Sequence, residues 1–210
     1  MSCIKAVLFD MDGVLIDAKE WHYNALNKAL SLFGIKIHRY DHLSRYDGLP
    51  TMRKLEILTS DQDFPDELHD FINTVKQKYT INEITKHCKP FFPHEYALSR
   101  LKSDGMKMAV CSNSIKKTMG IMLERSMIIQ YFDALFSNED VANSKPDPEI
   151  YLKCMKHIGV KPCETLILED NKNGIKAAID SGAHLLTVKS VYDVTYFNIM
   201  KHIESLNIED

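Results

Sequence analysis

Three aspartates follow a short apolar run near the start of the sequence. In VLFDMDGVLID, residues 7–17, Asp10, Asp12 and Asp17 come directly after residues typical of a buried strand. Carboxylates placed this close together raise one another's pKa, so the cluster is unfavourable unless a cation lies among them. The segment therefore predicts a site in which carboxylates surround a cation, with Asp17 bonded to the loop backbone rather than used in chemistry.

Other polar side chains follow apolar runs later in the chain. Ser112 and Asn113 come at the end of one run, Glu169 and Asp170 at the end of another, and Lys145 lies in a loop after a short strand. In open parallel sheets, ligands bind at the carboxyl ends of the strands, so these side chains should converge at one edge. Oxygen ligands of this kind favour a hard cation, and we expect Mg²⁺.

The residue types at these strand ends suit phosphoryl transfer. A carboxylate can accept a phosphoryl group as an aspartyl phosphate, and Asp10 is placed for this nucleophilic role. Asp12, two residues later, is suited to protonate the leaving oxygen and then to deprotonate the attacking water. Lys145 would offset the negative charge of the aspartates and the phosphate. Ser112, with neighbouring backbone amides, would hold the phosphate oxygens.

Strand and helix patterns alternate on both sides of a polar segment, residues 18–88. This alternation predicts an α/β fold, a doubly wound parallel sheet with helices on both faces. The polar segment is interpreted as an α-helical cap domain inserted into a core domain made of residues 1–17 and 89–210. The predicted strands are 4–9, 106–113, 132–138, 165–170 and 184–188. Helices are predicted over 20–33, within 51–88, over 173–183 and over 191–203. Three more are predicted: one that ends at Gly105, one from Ile115 to Met127, and one that begins at Pro148 with Asp147 as its N-cap.

The composition limits the classes of partner. The 210 residues include 26 lysines and arginines and 29 aspartates and glutamates, which gives a net charge of -3. This balance argues against a nucleic acid or an anionic membrane as the partner. Five cysteines without paired metal-type spacing indicate a reduced, cytoplasmic compartment, and the N-terminus is typical of neither a signal peptide nor a membrane span. The length fits one core with a small insertion, as a monomer or a small homo-oligomer.

Four motifs occur in a fixed order: D-x-D-G-V-x-x-D, S-N, K-P-x-P and E-D. Together with the hydrophobic strands before them, they resemble the haloacid dehalogenase (HAD) superfamily of phosphotransferases over about residues 7–188. More closely, the sequence is similar to the β-phosphoglucomutase-like and phosphoglycolate-phosphatase-like members, which have a Rossmann-like core and a helical cap. The resemblance implies a Mg²⁺-dependent hydrolase that acts on a small phosphate monoester, such as a sugar or polyol phosphate.

The resemblance also implies roles for the matching positions. Asp10 matches the nucleophile, and Asp12 matches the acid/base. The positions that match phosphate-binding residues are Ser112, Asn113 and Lys145, the last of which also balances charge. The positions that match the metal site are Asp10, Asp12 through its backbone carbonyl, Glu169 and Asp170. Whether Glu169 binds the metal directly, or holds a backbone amide or a metal-bound water, is left open.

A cap that opens and closes over the site selects the substrate in relatives of this type. His22 matches a cap histidine that many of them have, and Gly48 lies in DGLPTMRKL, which resembles their specificity loop. Arg53 and Lys54 follow in the same segment. These two cations are candidates for binding an anionic group of the substrate, with solvation on a helix surface as the alternative.

Departures from the mutase pattern favour a phosphatase. Ala18 stands where close mutases have threonine, and Pro50 and Thr51 stand where they have a Ser-Arg pair. A phosphomutase is the alternative function, and a non-catalytic binding or regulatory module is a further one. His38 and His42 have the i,i+4 spacing of zinc ligands, but no cysteine or acid at suitable spacing completes that set.

Overall fold

In the described part of the chain, five parallel strands form one sheet. The computed structural model describes residues 4–62 and 64–206, so Cys3, residue 63 of the predicted cap and the two ends of the predicted core domain lie outside the described residues. The strands are β1 (Ala6–Phe9), β2 (Lys107–Cys111), β3 (Ala134–Phe136), β4 (Thr165–Glu169) and β5 (His184–Thr187). Their order across the sheet is β3-β2-β1-β4-β5. The predicted α/β fold with a parallel sheet is confirmed.

Alternate residues of the central strand β1 pack on opposite faces of the sheet. Val7 and Phe9 belong to one buried apolar cluster, whereas Ala6 and Leu8 belong to another. Successive side chains of a strand point to opposite faces, so a strand covered on both sides must be apolar throughout. The first polar residue after this run, Asp10, is therefore placed at the carboxyl edge of the sheet.

Nine α-helices lie between or after the strands in the described part of the chain. The helices before β2 are α1 (Lys19–Leu30), α2 (Arg39–Asp41, followed by a π-helix over His42–Tyr46), α3 (Thr51–Gln62), α4 (His69–His87) and α5 (Phe92–Ser103). The later helices are α6 (Lys116–Arg125), α7 (Glu149–Ile158), α8 (Lys172–Asp180) and α9 (Tyr196–Leu206). Short 3₁₀ turns lie at Ser31–Phe33, Asp66–Leu68, Ile129–Tyr131, Asn138–Asp140, Pro162–Glu164 and Val191–Asp193.

Helices α1, α3 and α4 surround an apolar cluster of their own. Its buried members include Leu26, Leu55 and Ile72, and they all come from the segment predicted to form the cap. Helix α4 also contacts α6 of the sheet layer. A separate apolar cluster is what an inserted cap requires, and the division into core and cap stays a prediction.

Several helix boundaries differ from the predicted ones, and at two of them an aspartate carboxylate accepts backbone hydrogen bonds. The helix after the K-P-x-P motif begins at Glu149 rather than at Pro148, and the Asp147 carboxylate accepts a hydrogen bond from Glu149 N at 2.9 Å. The helix predicted over 191–203 is divided into a 3₁₀ turn and α9. The carboxylate of Asp193 accepts hydrogen bonds from the backbone before this turn, which closes the turn as a separate unit.

Candidate active site

The carboxyl edge of the sheet brings the predicted acidic side chains together. Asp10 follows β1, Glu169 ends β4, and Asp170 is the next residue; one carboxylate oxygen of each lies within 4.8 Å of the others. Asp10 is 4% exposed, and its backbone N–H donates a hydrogen bond to Leu168 O at 3.0 Å. Pairing between β1 and β4 therefore fixes the position from which the Asp10 side chain extends.

Lys145 supplies positive charge to this cluster from the loop after β3. Its Nζ donates hydrogen bonds to Asp10 Oδ1 (2.7 Å), Glu169 Oε1 (2.6 Å) and Cys111 O (2.7 Å). These bonds use all three donors of the ammonium group. The hydroxyl of Tyr151 donates a further bond to Glu169 Oε1 at 2.6 Å. This is the arrangement that the predicted charge-balancing role of Lys145 requires.

Burial and charge set the acid–base properties of Asp10 and Lys145. Burial raises the pKa of Asp10 well above its usual value, the Glu169 carboxylate raises it further, and the Lys145 ammonium opposes both effects. Burial acts to lower the pKa of Lys145, but the carboxylates of Asp10 and Glu169 outweigh it and raise that pKa. Lys145 therefore stays protonated, and a further cation beside Asp10 would bring the pKa of Asp10 down.

Asp12 is held at the cavity by two side chains. Asp12 Oδ1 lies 3.0 Å from His22 Nε2 on α1, and Asp12 Oδ2 accepts a hydrogen bond from the hydroxyl of Ser114 at 2.8 Å. Burial acts to raise the pKa of Asp12, but these two partners outweigh it and lower the pKa. The structure thus brings the predicted pair of Asp12 and His22 together and adds Ser114 to them.

A lysine of α4 determines the tautomer of His22. Lys76 Nζ lies 3.3 Å from His22 Nδ1, and an ammonium group can only donate hydrogen bonds. Nδ1 is therefore the acceptor, and the ring proton is on Nε2, from which it is donated to Asp12. Burial lowers the pKa of His22, so the neutral imidazole that this arrangement needs is the favoured form.

Asp170 offers a carboxylate oxygen that fits a bound cation. Its Oδ2 is buried, and its partner among the described residues is Lys19, whose Nζ lies 2.6 Å away. Gly13 has a φ of +98°, and a Cβ at that position would lie 2.0 Å from Asp170 Oδ2. Only glycine leaves this oxygen room. A buried carboxylate oxygen of this kind near Asp10 fits Mg²⁺, which takes oxygen ligands.

The carboxylate of Glu169 is turned into the protein. Its Oε1 accepts the hydrogen bond from Lys145 already described, and its Oε2 accepts bonds from Asp170 N (3.1 Å) and Asn171 Nδ2 (3.3 Å). Both oxygens therefore have partners in a fully buried side chain. Asp10 and Asp170 are better placed than Glu169 to bind a metal directly.

Ser112 and Asn113 organise the loops beside the site. The hydroxyl of Ser112 accepts a hydrogen bond from Ser114 N at 3.0 Å. Asn113 Nδ2 donates to Gly48 O at 2.9 Å, and its Oδ1 accepts from Lys145 N at 3.1 Å. Asn113 therefore ties the predicted specificity loop to the loop of the charge-balancing lysine. The serine whose hydroxyl donates a hydrogen bond to Asp12, the predicted acid/base, is Ser114, which directly follows the S-N motif and was not predicted.

A cavity of about 280 Å³ lies between this edge and the helices α1, α3 and α4. Asp10 and Asp12 line it from the sheet, and His22, Lys54 and Lys76 line it from the helices. Small-molecule sites span roughly 300–1,000 Å³, so the volume of this cavity lies just below that range. The volume suits a small metabolite.

Two adjacent cations of α3 take different positions. Lys54 is 7% exposed and lines the cavity, whereas the Arg53 side chain is 65% exposed and pairs with Glu56 at 2.5 Å. The structure brings Lys54 to the site and leaves Arg53 outside this cavity. His42 is buried and its ring lies 5.0 Å from that of Tyr23; among the described residues no metal-type cluster includes it.

Known proteins resemble this chain over most of its length. The sequence profile of the haloacid dehalogenase-like hydrolases matches residues 7–188. A phosphorylated carbohydrates phosphatase from Thermotoga maritima is 30% identical over 195 residues, which cover 92% of this chain and 86% of that protein. A phosphoglycolate phosphatase from Aquifex aeolicus is 30% identical over 179 residues, which cover 85% of this chain and 82% of that protein.

The fold also matches solved structures. The crystal structure of β-phosphoglucomutase from Clostridium difficile superimposes with a TM-score of 0.84 and 25% identity, covering 98% of this chain and 99% of that chain. Within the described residues, no helix is both long and apolar enough to cross a membrane. The profile match, the identity to these relatives and the shared architecture agree with the four motifs. The chain belongs to the haloacid dehalogenase-like hydrolase family.

Proposed function

We propose that the protein is a Mg²⁺-dependent phosphatase that hydrolyses a small phosphate monoester through an aspartyl phosphate on Asp10. The observation that carries the proposal is the pair of carboxylates at the end of β1. Asp10 is held by Lys145 at the sheet edge, and Asp12 lines the same cavity with hydrogen bonds of its own. Relatives named as phosphatases support this assignment.

In the first step, an oxygen of Asp10 attacks phosphorus, and the bond from phosphorus to the ester oxygen breaks. The negative charge of the bound ester favours the protonated form of Asp12, which gives its proton to that oxygen, so the product leaves as an alcohol. Lys145 offsets the charge of the nucleophile and of the phosphoryl group. Mg²⁺ held by Asp10, Asp170 and the backbone carbonyl of Asp12 would neutralise the phosphoryl oxygens and lower the pKa of Asp10.

In the second step, Asp12 acts as a base. It takes a proton from water, the water oxygen attacks phosphorus, and the bond from phosphorus to Asp10 breaks. Inorganic phosphate and the free Asp10 carboxylate are the products. The hydrogen bonds from His22 and Ser114 hold the Asp12 carboxylate in one orientation, so the same group can serve both steps.

A phosphomutase is the second candidate, and the similarity in fold to β-phosphoglucomutase is the observation that favours it. A mutase passes the phosphoryl group from the aspartate to a second hydroxyl of the sugar instead of to water. Ala18 and Thr51 depart from the mutase pattern and favour hydrolysis. The two activities are separated by their products, which are inorganic phosphate in one case and an isomerised sugar phosphate in the other.

We place this activity in the cytoplasm, with a small-molecule ester as the partner. Cys88, Cys111 and Cys154 are buried free thiols, which is typical of a reduced compartment. The near-balanced charge of the sequence argues against a nucleic acid as the partner.

The test is phosphate release from a panel of phosphorylated metabolites, with Mg²⁺ and with a chelator, using Asp10→Asn as the blank. We expect release that requires both the metal and Asp10. Metal-independent release, or normal turnover by Asp10→Asn, would contradict the proposal. Conversion of a sugar phosphate to its isomer without release would instead favour the mutase.

A further inference from the structure

Two buried lysines of the helical layer have no acidic partner. Lys54 on α3 is 7% exposed and Lys76 on α4 is 6% exposed, and both line the cavity opposite the sheet edge. No carboxylate of the described residues lies within ion-pair distance of either one, and the only polar partner of Lys76 is the neutral His22. An unpaired ammonium group in such a position is unfavourable unless something compensates it.

The other charges of the cavity already have partners. Lys145 pairs with Asp10, and Lys19 pairs with Asp170 (2.6 Å) and Asp47 (3.7 Å). The nucleophile side of the cavity therefore has no lysine left without a carboxylate partner, and carboxylates outnumber lysines there. The excess positive charge lies on the helical side, at Lys54 and Lys76.

Burial also shows in the acid–base behaviour of these lysines. It lowers the pKa of Lys54 to about 8 and that of Lys76 to about 7, and the charge of Lys54 also acts to lower the pKa of Lys76. Asp47 and Asp12 are the acids that act on Lys54 electrostatically. Asp47 already pairs with Lys19, and Asp12 already contacts His22. An anion placed between the two lysines would restore their full charge.

The position of Lys76 sets the size of the compound. Its ammonium is separated from the Asp12 carboxylate by a single imidazole ring, that of His22, through contacts of 3.3 Å and 3.0 Å. Asp12 is the group that meets the ester oxygen in the proposed reaction. An anion at the lysines would therefore be only a few bonds from that ester oxygen.

We propose that Lys54 and Lys76 form a second anion subsite, so that the substrate is a small phosphate ester with a second acidic group. This group is a carboxylate or a second phosphate, and the proposal rests on the proposed phosphatase function. The transferred phosphate lies against Asp10, and the second acidic group lies against the lysines of α3 and α4. Arg53, on the exposed side of α3, takes no part.

The test compares matched pairs of esters. One pair is 2-phosphoglycolate and 2-hydroxyethyl phosphate, and the other is a hexose bisphosphate and the corresponding hexose monophosphate. The measured quantity is the ratio of kcat/KM within each pair, for wild type, Lys54→Met, Lys54→Arg and Lys78→Met. Lys78 is an exposed lysine on α4 and serves as the matched control.

We expect wild type to prefer at least one acid-bearing ester by roughly 10- to 100-fold, the range of a hydrogen bond to a charged group. Lys54→Met should remove most of that preference, Lys54→Arg should retain it, and Lys78→Met should leave it unchanged. The pair that responds tells whether the second group is a carboxylate or a phosphate. No preference in wild type, or an equal loss on both members of a pair in Lys54→Met, would overturn the proposal.

A binding measurement separates this proposal from the catalytic one. The same esters are titrated calorimetrically into Asp10→Asn and into Asp10→Asn with Lys54→Met. Tighter binding of an acid-bearing ester, weakened about tenfold or more by the second substitution, would support the subsite even if no ester were hydrolysed. Equal affinities for both members of each pair would refute it even if hydrolysis were observed.

Discussion

Replacing Lys145 with methionine tests whether charge balance holds the site together. The substitution keeps an unbranched side chain that is one atom shorter, and it removes the ammonium that bonds to Asp10 Oδ1, Glu169 Oε1 and Cys111 O. Two buried carboxylates and a carbonyl lose their common donor. Removing one partner of a buried ion pair destabilises proteins by about 3–5 kcal/mol, because the remaining charge is uncompensated.

The expected loss depends on pH. The pKa of Asp10 is already raised by burial, and losing Lys145 raises it further. When the pKa of a carboxyl group is higher in the folded than in the unfolded protein, the folded state binds the proton more tightly. The stability of the variant therefore falls as the pH rises from the unfolded pKa to the folded pKa. We therefore expect a deficit of about 3–5 kcal/mol near pH 7.5 and a clearly smaller one near pH 5.

Urea unfolding of the metal-free protein at both pH values measures these differences. Lys153→Met is the matched control, because its partner Glu149 is bound on the surface at i,i+4 spacing and such pairs contribute less than about 1 kcal/mol. A Lys145→Met variant within about 1 kcal/mol of wild type at pH 7.5 would show that Asp10 and Glu169 do not need this cation. A deficit that is the same at both pH values would refute the electrostatic explanation.

Two further predictions concern the packing and the charge of the site. In Gly174→Ala, the new Cβ would lie 1.8 Å from the carboxylate of Glu169, so we expect the free energy of unfolding to fall by roughly 1–3 kcal/mol. The control is Gly120→Ala, which has no atom near its new Cβ and should be neutral or stabilising. Equal effects at the two sites would contradict this packing. The pKa of Lys76 is about 7 in the folded protein, whereas its ordinary value is 10.5. Between these two pH values the unfolded chain binds more protons than the folded protein. The stability of wild type relative to Lys76→Met should therefore rise with pH, by up to about 1.4 kcal/mol per pH unit. Urea titrations from about pH 7 to pH 9.5, with Lys78→Met as the control, measure this difference, and parallel curves for wild type and Lys76→Met would show that Lys76 is not held in a low-dielectric site.

The sheet edge was predictable because its signals are local. A parallel strand buried on both faces must be an apolar run, and the first polar residue after it lies at the carboxyl edge. This relation places Asp10 after β1 and Asp170 after β4 without knowledge of the rest of the fold. The direction of a side chain in a loop and the packing of one helix against another have no such local signal.

The helical side of the site shows what the sequence left undetermined. Arg53 and Lys54 are adjacent, and about 100° of rotation along α3 separates an exposed cation from one in the cavity. Lys54 shares its face with Leu58 at i,i+4 spacing, which is the signal that could have distinguished them. Lys76 comes from a polar stretch of α4 far along the chain, and only the packing of α4 against α1 brings it to His22.

The most direct test of the central claim is to trap the covalent intermediate. The enzyme is mixed with an ester that it hydrolyses, in the presence of Mg²⁺, and quenched in acid during turnover; an Asp12→Asn variant, in which the second step lacks its base, is treated in parallel. Borohydride reduction converts an aspartyl phosphate to homoserine, and peptide mass spectrometry locates it. We predict homoserine at position 10 and nowhere else, with more of it in Asp12→Asn when the leaving group of the ester needs no proton, because this variant also lacks the acid of the first step. Homoserine at position 12, or none in either protein while phosphate is released, would contradict the assignment of Asp10 as the nucleophile.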